Sequence, residues 1–324
     1  MKVLMVTNMY PTAEHPFSGS FIKSQIDSIR NEGIDVEMIH IDAKKNRFNY
    51  MKGWYRIFKK SWDSGIDLIH AHYGFSGMVS RLQFRLPVLV SYCGGDVLGN
   101  PTPTGKIRLF DKLILPFGRL LSLVIPAAIV KSDEMKNKLP KKSNVTVIPN
   151  GVNFDQFKPM QQFEARKLVG FKDNMKYILF PANPTWIRKC FPVARDAVEL
   201  LKKQENNVEL VVIHSQSQDI IPAYMNACDA MVLTSYWEGS PNVIKEAMAC
   251  NLPIVTVDVG DVKKIISGCD GCYVAQRNAE DVAAKLEKTL KRRKRTNGRE
   301  CIDHLEVQRV AKSIIQLYKN IIRS

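Results

Sequence analysis

Short apolar runs alternate with helical patterns along this chain, and the whole alternation occurs twice. In the first half the runs are KVLMVT, DVEMIHI, DLIHAH, PVLVSY, AAIVKS and VTVIP. Between them lie amphipathic segments such as FIKSQIDSIRNEG, where Phe21, Ile22, Ile26 and Ile29 share one helical face and Gly33 closes it. Apolar strands that alternate with helices imply a parallel sheet covered on both faces. The pattern restarts with YILFPA, VELVVI, AMVLTS, PIVTV and CYVA. At the join, residues 148–159 read IPNGVNFDQFKP, and two prolines and an Asn-Gly in so short a span mark a linker. The expected class is α/β, with two Rossmann-like doubly wound domains over 1–149 and 150–302. A closing span, 303–324, holds one more amphipathic helix, VQRVAKSIIQLYKNII, expected to pack back on the first domain. Ligands bind such sheets beyond the carboxyl ends of the strands, and two of them facing each other would form a central cleft.

Composition narrows the classes. The chain has 324 residues, 45% hydrophobic and 24% charged, enough apolar content for two ordinary cores and too much for a disordered protein. A net charge of +15 favours anionic partners: nucleotides, nucleic acid or an anionic membrane surface. The seven cysteines are scattered singly, and MKVLMVTNMYP reads as a strand from the first Met with no cleavable signal before it, so a reducing cytosol is expected. CDGC at 269–272 has ligand spacing but no second pair, and reads as a turn before a strand. The longest apolar stretch, residues 113–130, contains Arg119 and two prolines and falls short of a spanning helix.

The chemistry concentrates in SYWEGSPNVIKEAMAC, residues 235–250. Ser240 is expected to cap the helix, with Pro241 in its first turn, so that the amides of Asn242 and Val243 form an anion site suited to a diphosphate. Val243, Ile244, Ala247 and Met248 form the stripe that packs on the sheet. Glu246 lies one turn after Asn242 on the same face, beside the phosphates, where a carboxylate accepts two hydroxyl hydrogen bonds from a ribose diol. Glu238 precedes the cap and would face a second hydroxyl-rich group. That geometry points to a nucleotide sugar. Spacing alone leaves open that Glu246 is a solvated helix residue and Glu238 a loop charge.

EGSPNVIKE resembles the E-x7-E signature of retaining GT-B glycosyltransferases, family 4 (glycosyl transferases group 1) in particular, and VIPNGVNFDQFKP resembles its linker motif. The similarity covers most of the chain and is strongest over residues 222–261. It implies a GT-B fold, an acceptor on the amino-terminal domain, a nucleotide diphosphate sugar as donor on the carboxyl-terminal one, retained anomeric configuration and no metal or other cofactor. It further implies that Glu238 contacts the donor sugar, that Glu246 holds the ribose, and that the segment from Gly239 to Val243 borders the phosphates. Lys189, with Arg188 beside it, would neutralise the diphosphate. In the first domain it places the Gly19–Ser20 backbone near the donor's distal phosphate and sugar, although Ser20 reads equally as a plain helix start. It places His72 where an acceptor-contacting or a structural histidine stands. SYCGGDV aligns with a segment that often reads His-Gly-x-Asp, so Asp96 is retained as a candidate catalytic group while Cys93 replaces the histidine.

Two further departures concern the donor. Asn183-Pro184 stands where an arginine commonly precedes the phosphate lysine, and residues 211–229 are shorter than in many relatives, which leaves uridine only a prior for the base. Residues 44–62, KKNRFNYMKGWYRIFKKSW, mix cations with aromatics and contain no acid. They read either as a solvated loop and helix with aromatics in the core, or as a surface that rests on an anionic membrane and meets a polyprenyl-linked acceptor. KRRKR at 291–295 reads as a solvated face. The expected function is transfer of a sugar to a glycan or lipid-linked acceptor in bacterial surface polysaccharide synthesis, in the cytosol or at the inner face of the membrane, with no nucleic acid partner. The rivals are a sugar-nucleotide epimerase of similar fold, which would act without an acceptor, and a non-catalytic nucleotide or nucleic-acid binding protein.

Overall fold

The computed structural model describes residues 1–323 except 16, 17, 44, 47, 64, 100, 101, 103–106 and 108, and for 109–111 the backbone alone. The chain divides into two compact units, Met1–Gly151 with Val307–Ser324, and Val152–Glu306.

In the first unit the elements run β1 (Lys2–Thr7), α1 (Ser20–Asn31), β2 (Asp35–His40), α2 (Asn49–Ser61), β3 (Leu68–His72), α3 (Gly74–Arg81), β4 (Val88–Ser91), α4 (Gly95–Leu98), α5 (Leu109–Leu121), β5 (Ala127–Val130), α6 (Asp133–Asn137) and β6 (Val145–Val147). The second unit holds α7 (Gln162–Val169), β7 (Lys176–Phe180), α8 (Phe191–Lys202), β8 (Val208–Val212), α9 (Ile221–Ala227), β9 (Ala230–Leu233), α10 (Asn242–Ala249), β10 (Ile254–Val257), α11 (Val262–Ile265), β11 (Tyr273–Ala275), α12 (Ala279–Arg292) and α13 (Gly298–Cys301). The last helix, α14 (Val307–Arg323), returns to the first unit.

Among the described residues each unit has one parallel sheet, ordered β2-β1-β3-β4-β5-β6 in the first and β11-β10-β9-β7-β8 in the second. The expected α/β class is what the chain forms, and each apolar run of the sequence became one strand. The order reverses between β1 and β3, and again between β7 and β9. Those are the switch points where neighbouring loops diverge and leave room for a ligand.

Burial follows the pattern. In the first unit Ile22, Ile26 and Ile29 of α1 pack with Ile314, Ile315 and Tyr318 of α14 on one face of the sheet. On the other face Ile57 of α2, Val79 of α3 and Leu121 of α5 close the second layer. Each fully buried isoleucine contributes roughly 1.5–3 kcal/mol. A buried polar tie helps to secure α14 within this unit: His70 Nδ1 lies 2.6 Å from the Tyr318 hydroxyl, while its Nε2 lies 2.8 Å from Ser91 Oγ. Gly77 lets α3 sit deep, because a Cβ there would stand 2.7 Å from Val90 and 3.0 Å from Leu121. In the second unit Ala194, Ala197 and Val198 of α8 pack with Leu286 of α12, and α9 and α10 cover the opposite face through Met225, Ile244 and Met248.

The 291–295 run is not wholly a solvated face. Arg295 donates to the carbonyls of Met225, Cys228 and Cys250 at 2.8–3.1 Å, two of which cap the ends of α9 and α10. Helix ends leave carbonyls without partners, and a guanidinium with several donors satisfies them together. All seven cysteines are unpaired, and Cys269 and Cys272 flank the turn into β11. Among the described residues no helix is long and apolar enough to cross a membrane. Part of the 113–130 stretch ends α5, and the rest forms the approach to β5 and that strand.

Candidate active site

The loops after β7 and β9 flank the switch point of the second unit and carry the charged residues. A short 3-10 turn, Ile187–Lys189, presents Arg188 and Lys189, and Cys190 takes a left-handed φ of 48° before α8 begins. The end of β9 clamps this turn. Thr234 Oγ1 donates to the Lys189 and Cys190 carbonyls at 3.1 and 3.0 Å, and the Tyr236 amide donates to the Arg188 carbonyl at 2.8 Å. From the loop after β11, Arg277 donates to the Ser235 carbonyl at 3.1 Å and lies over the Tyr236 ring.

So held, Lys189 Nζ sits 2.6 Å from Glu238 Oε1, Arg188 lies 3.1 Å from Glu238 Oε2, and Ser235 Oγ donates to Oε1 at 2.9 Å. The Lys189 and Glu238 side chains are each 9% exposed, so this is a buried pair, whereas Arg188 is 38% exposed and its attraction is screened. The two ends of the pair respond differently. Burial pushes the Glu238 carboxyl up, but Lys189, Arg188 and the hydrogen bonds outweigh it and hold the group below the usual carboxylate range. At Lys189 burial wins over the pull of Glu238, and its ammonium loses protons more easily than an ordinary lysine. The sequence placed Lys189 at phosphate and Glu238 at sugar as separate contacts. In the structure they hold each other.

Helix α10 starts one residue later than expected. Pro241, in extended conformation, is its N-cap, and no side chain caps it. Ser240 is therefore not the cap, and its hydroxyl is buried without a hydrogen-bond partner. Proline at the cap still suits a helix start, since it brings no amide that needs an acceptor. The first-turn amides at Asn242 and Val243 keep their place at the positive end of the dipole. Ile244, Ala247 and Met248 are buried as the stripe required, Val243 is half-buried, and Lys245 is buried as well. Glu246 is half-buried and set among protein atoms, so desolvation raises its carboxyl to about 7, against a smaller downward pull from Lys245.

A third loop completes the region. Gly260, after β10, has a φ of +56°, and a Cβ there would stand 2.6 Å from the Gly239 carbonyl oxygen and 2.8 Å from that of Glu238. Gly260→Ala must therefore displace the backbone that carries Glu238. The expected result is a loss of about 1–3 kcal/mol of stability with weakened donor binding, read by thermal melts with and without nucleotide sugar. A variant that melts and binds like the parent would show that the two loops are independent. Next to Gly260, Asp261 has a buried Oδ1 without a partner, and burial raises its carboxyl while Lys245 draws it back. Asp261, Lys245, Gly260 and Arg277 were missed from the sequence. A glycine between β10 and a short helix was the one signal present. Buried lysines are rare enough that Lys245 gave none.

Of the first-unit candidates, Asp96 lines a cavity of about 600 Å³, shared with Asn8, Tyr50, Tyr73, Met78 and Leu115 among others, at the switch point after β1 and β3. Asp96 ties the loop between β4 and α4. Its oxygens accept from the amides of Gly74, Cys93 and Gly94 at 2.9–3.1 Å. Burial raises its carboxyl, and those amides draw it back. Held by backbone in this way, Asp96 fixes part of the cavity wall. Burial pushes the Cys93 thiol up to about 12, so it is a weak 3.6 Å donor to the Ser91 carbonyl and not a thiolate. His72 is fully buried, stacks on His70 with ring centroids 4.4 Å apart, and has no partner at either ring nitrogen. Burial, helped by Lys131, lowers its pKa to about 3, so it is neutral. Lys131, itself buried, was not anticipated.

Gly19 is forced by contact, since a Cβ at its φ of +69° would meet the Met9 carbonyl oxygen at 2.4 Å. Ser20 begins α1 directly after it. Asn183, where an arginine was absent, accepts from the amide and hydroxyl of Thr185 and shapes the loop. Among the described residues no group of three or more His, Cys, Asp or Glu is placed to hold a metal ion.

The family profile "Glycosyl transferases group 1" matches residues 177–292, the span that carries Lys189, Glu238 and Glu246. Residues 177–292 belong to the group 1 glycosyltransferases. TuaC of Bacillus subtilis strain 168, a glycosyltransferase named for teichuronic acid biosynthesis, is 22% identical over 88% of this chain and 88% of its own. The N,N'-diacetylbacillosaminyl-diphospho-undecaprenol alpha-1,3-N-acetylgalactosaminyltransferase of Campylobacter jejuni is 26% identical over 81% of this chain and 78% of its own. Among solved structures, sucrose-phosphate synthase of Thermosynechococcus elongatus superposes with a TM-score of 0.80 over the full length of both chains at 18% identity. Anabaena HepE in complex with UDP-glucose gives 0.70 over 99% of this chain and 100% of its own at 16% identity. Both likenesses place the chain in the GT-B fold.

Proposed function

We propose that this glycosyltransferase moves a hexose-type sugar from a UDP-sugar to a lipid-linked glycan acceptor, with retained configuration, in bacterial surface polysaccharide synthesis in the cytosol. The observation that carries the reading is the cluster around Glu238: two cations and a helix N-terminus beside it, with Glu246 one turn into that helix. A departing nucleoside diphosphate develops negative charge, and Lys189, Arg188 and the first-turn amides of α10 are the groups that stabilise it. The sugar–phosphate bond breaks, the acceptor hydroxyl forms the new bond on the same face, and its proton passes to the leaving phosphate oxygen. Glu238 releases the cations to the diphosphate and turns to sugar hydroxyls, while Glu246 accepts from the ribose. The cavity of the first unit takes part of the acceptor. HepE supports the choice of base through its UDP-glucose complex, and the diphospho-undecaprenol in the name of the Campylobacter enzyme supports the acceptor class.

A thermal-shift panel of nucleotide sugars tests the reading. A matching donor at a hundred times its Kd should stabilise the protein by about 2.7 kcal/mol, and Lys189→Ala should abolish the shift. If no nucleotide sugar raises the melting temperature, the donor assignment fails.

A further inference from the structure

The first unit carries two exposed apolar stripes that run outward from the rim of its cavity. On α2, Ile57 and Ser61 face the core, while Met51, Trp54, Tyr55, Phe58 and Trp62 recur at intervals of three and four residues and stand exposed. Their rings form a ladder: Trp54–Phe58 centroids lie 5.9 Å apart and Phe58–Trp62 centroids 6.3 Å. Beside this stripe Lys52, Arg56 and Lys59 form a third, cationic face, and α2 has no acid. On α5, Leu115 and Gly118 are buried, while Leu113, Phe117 and Leu120, followed by Val124, make a second stripe with the same spacing. Both helices flank α3, and both line the cavity of this unit through Tyr50, Met51, Ile114 and Leu115. Trp62 remains 63% exposed and Phe117 65%, large apolar surfaces that a free soluble face would not leave in water.

We infer that the α2–α5 face docks the first unit on an anionic phospholipid bilayer. Of the α2 aromatics only Tyr50 packs against the core, and the stripe of Trp54, Tyr55 and Phe58 points outward. Lys44 and Arg47 of that segment lie outside the described residues. Charge decides the occupant. Protein interfaces are depleted in lysine at their centres, whereas an interfacial helix sets aromatics at the acyl boundary and lysines toward lipid phosphates. The three-faced α2 has that arrangement. In purpose the inference deepens the lipid-linked acceptor reading, since a bilayer-resident acceptor would meet the cavity between the docked helices. Its test needs neither donor nor acceptor.

The full chain is floated with phosphatidylcholine vesicles with and without phosphatidylglycerol. It should bind the anionic vesicles, lose binding as salt rises, and bind pure phosphatidylcholine at least tenfold less. The charge reversals Lys52→Glu, Arg56→Glu and Lys59→Glu together should weaken binding at least tenfold, as should Trp54→Ser with Phe58→Ser and Phe117→Ser. Unchanged circular dichroism melts show that these surface variants fold. Acyl chains carrying bromine should quench tryptophan emission, and Trp54→Phe with Trp62→Phe should remove the quenching. Equal flotation of all variants, no flotation of the parent, or quenching that survives the double Phe variant would overturn the inference. So would a dimer lost through the same substitutions in a protein that ignores vesicles. A donor panel that fails while flotation succeeds would sink the donor assignment alone.

Discussion

Glu238→Gln is expected to make the ligand-free protein less stable by about 3 kcal/mol while it binds free nucleoside diphosphate about tenfold more tightly. Both effects follow from one geometry. Glu238 is the counter-charge of Lys189 at 2.6 Å in a site where each side chain is 9% exposed. With glutamine there, a buried ammonium is left without its partner, and the cost is that of an unpaired buried charge. A diphosphate no longer has to compete for Lys189 and Arg188, so it gains what the carboxylate held. Sugar transfer should nonetheless slow by roughly a hundredfold or more, because the group that orients the sugar is gone. Chemical denaturation, calorimetry with nucleoside diphosphate and a transfer assay read the three effects. If calorimetry shows no tighter binding, Glu238 stays on Lys189 in the donor complex and the exchange of partners is wrong.

Glu246→Gln should have the opposite effect on stability. The carboxyl is raised from its ordinary value to about 7 by burial, so the folded protein favours the protonated group. The stability that preference contributes is full below the unfolded value. It is lost as pH rises through about 7, where the folded state must hold a buried carboxylate. Relative to the parent, glutamine is therefore expected to stabilise by about 3 kcal/mol at pH 8 and by little at pH 4. Binding runs the other way. Two ribose hydroxyls donate to the ionised form, so donor affinity of the parent should fall about tenfold for each pH unit below 7, and Gln should bind weakly at every pH. Melts across pH with donor titrations measure both. A donor affinity flat from pH 5 to pH 8 would remove Glu246 from the ribose.

Much of this could be read from the chain. The apolar runs gave every strand, because a strand buried on both faces needs an apolar composition that few other elements share. The glutamates at 238 and 246 and the amides between them stood out because a diphosphate, a diol and a helix terminus call for such spacings, while Lys189 came from the family resemblance alone. The Ser240 cap failed because serine and proline both suit a helix start, and the choice between them lies in the backbone after β9. The backbone partners of Asp96 were hidden for a similar reason. A carboxylate in a short loop has one sequence whether it faces a substrate or three backbone amides.

The sequence by itself determined the two sets of parallel strands and marked the short stretch proposed for donor chemistry, since periodicity and local spacing are properties of neighbours along the chain. Only the tertiary structure decided who pairs with whom. Lys189 meets Glu238 across 49 residues, Gly260 closes on the Glu238 backbone, and His72 ends in full burial beside Lys131. It also turned the α2 aromatics outward, a choice that depends on which face of the helix the sheet takes first. Those outcomes depend on desolvation and on contacts between distant segments, and no local pattern encodes either.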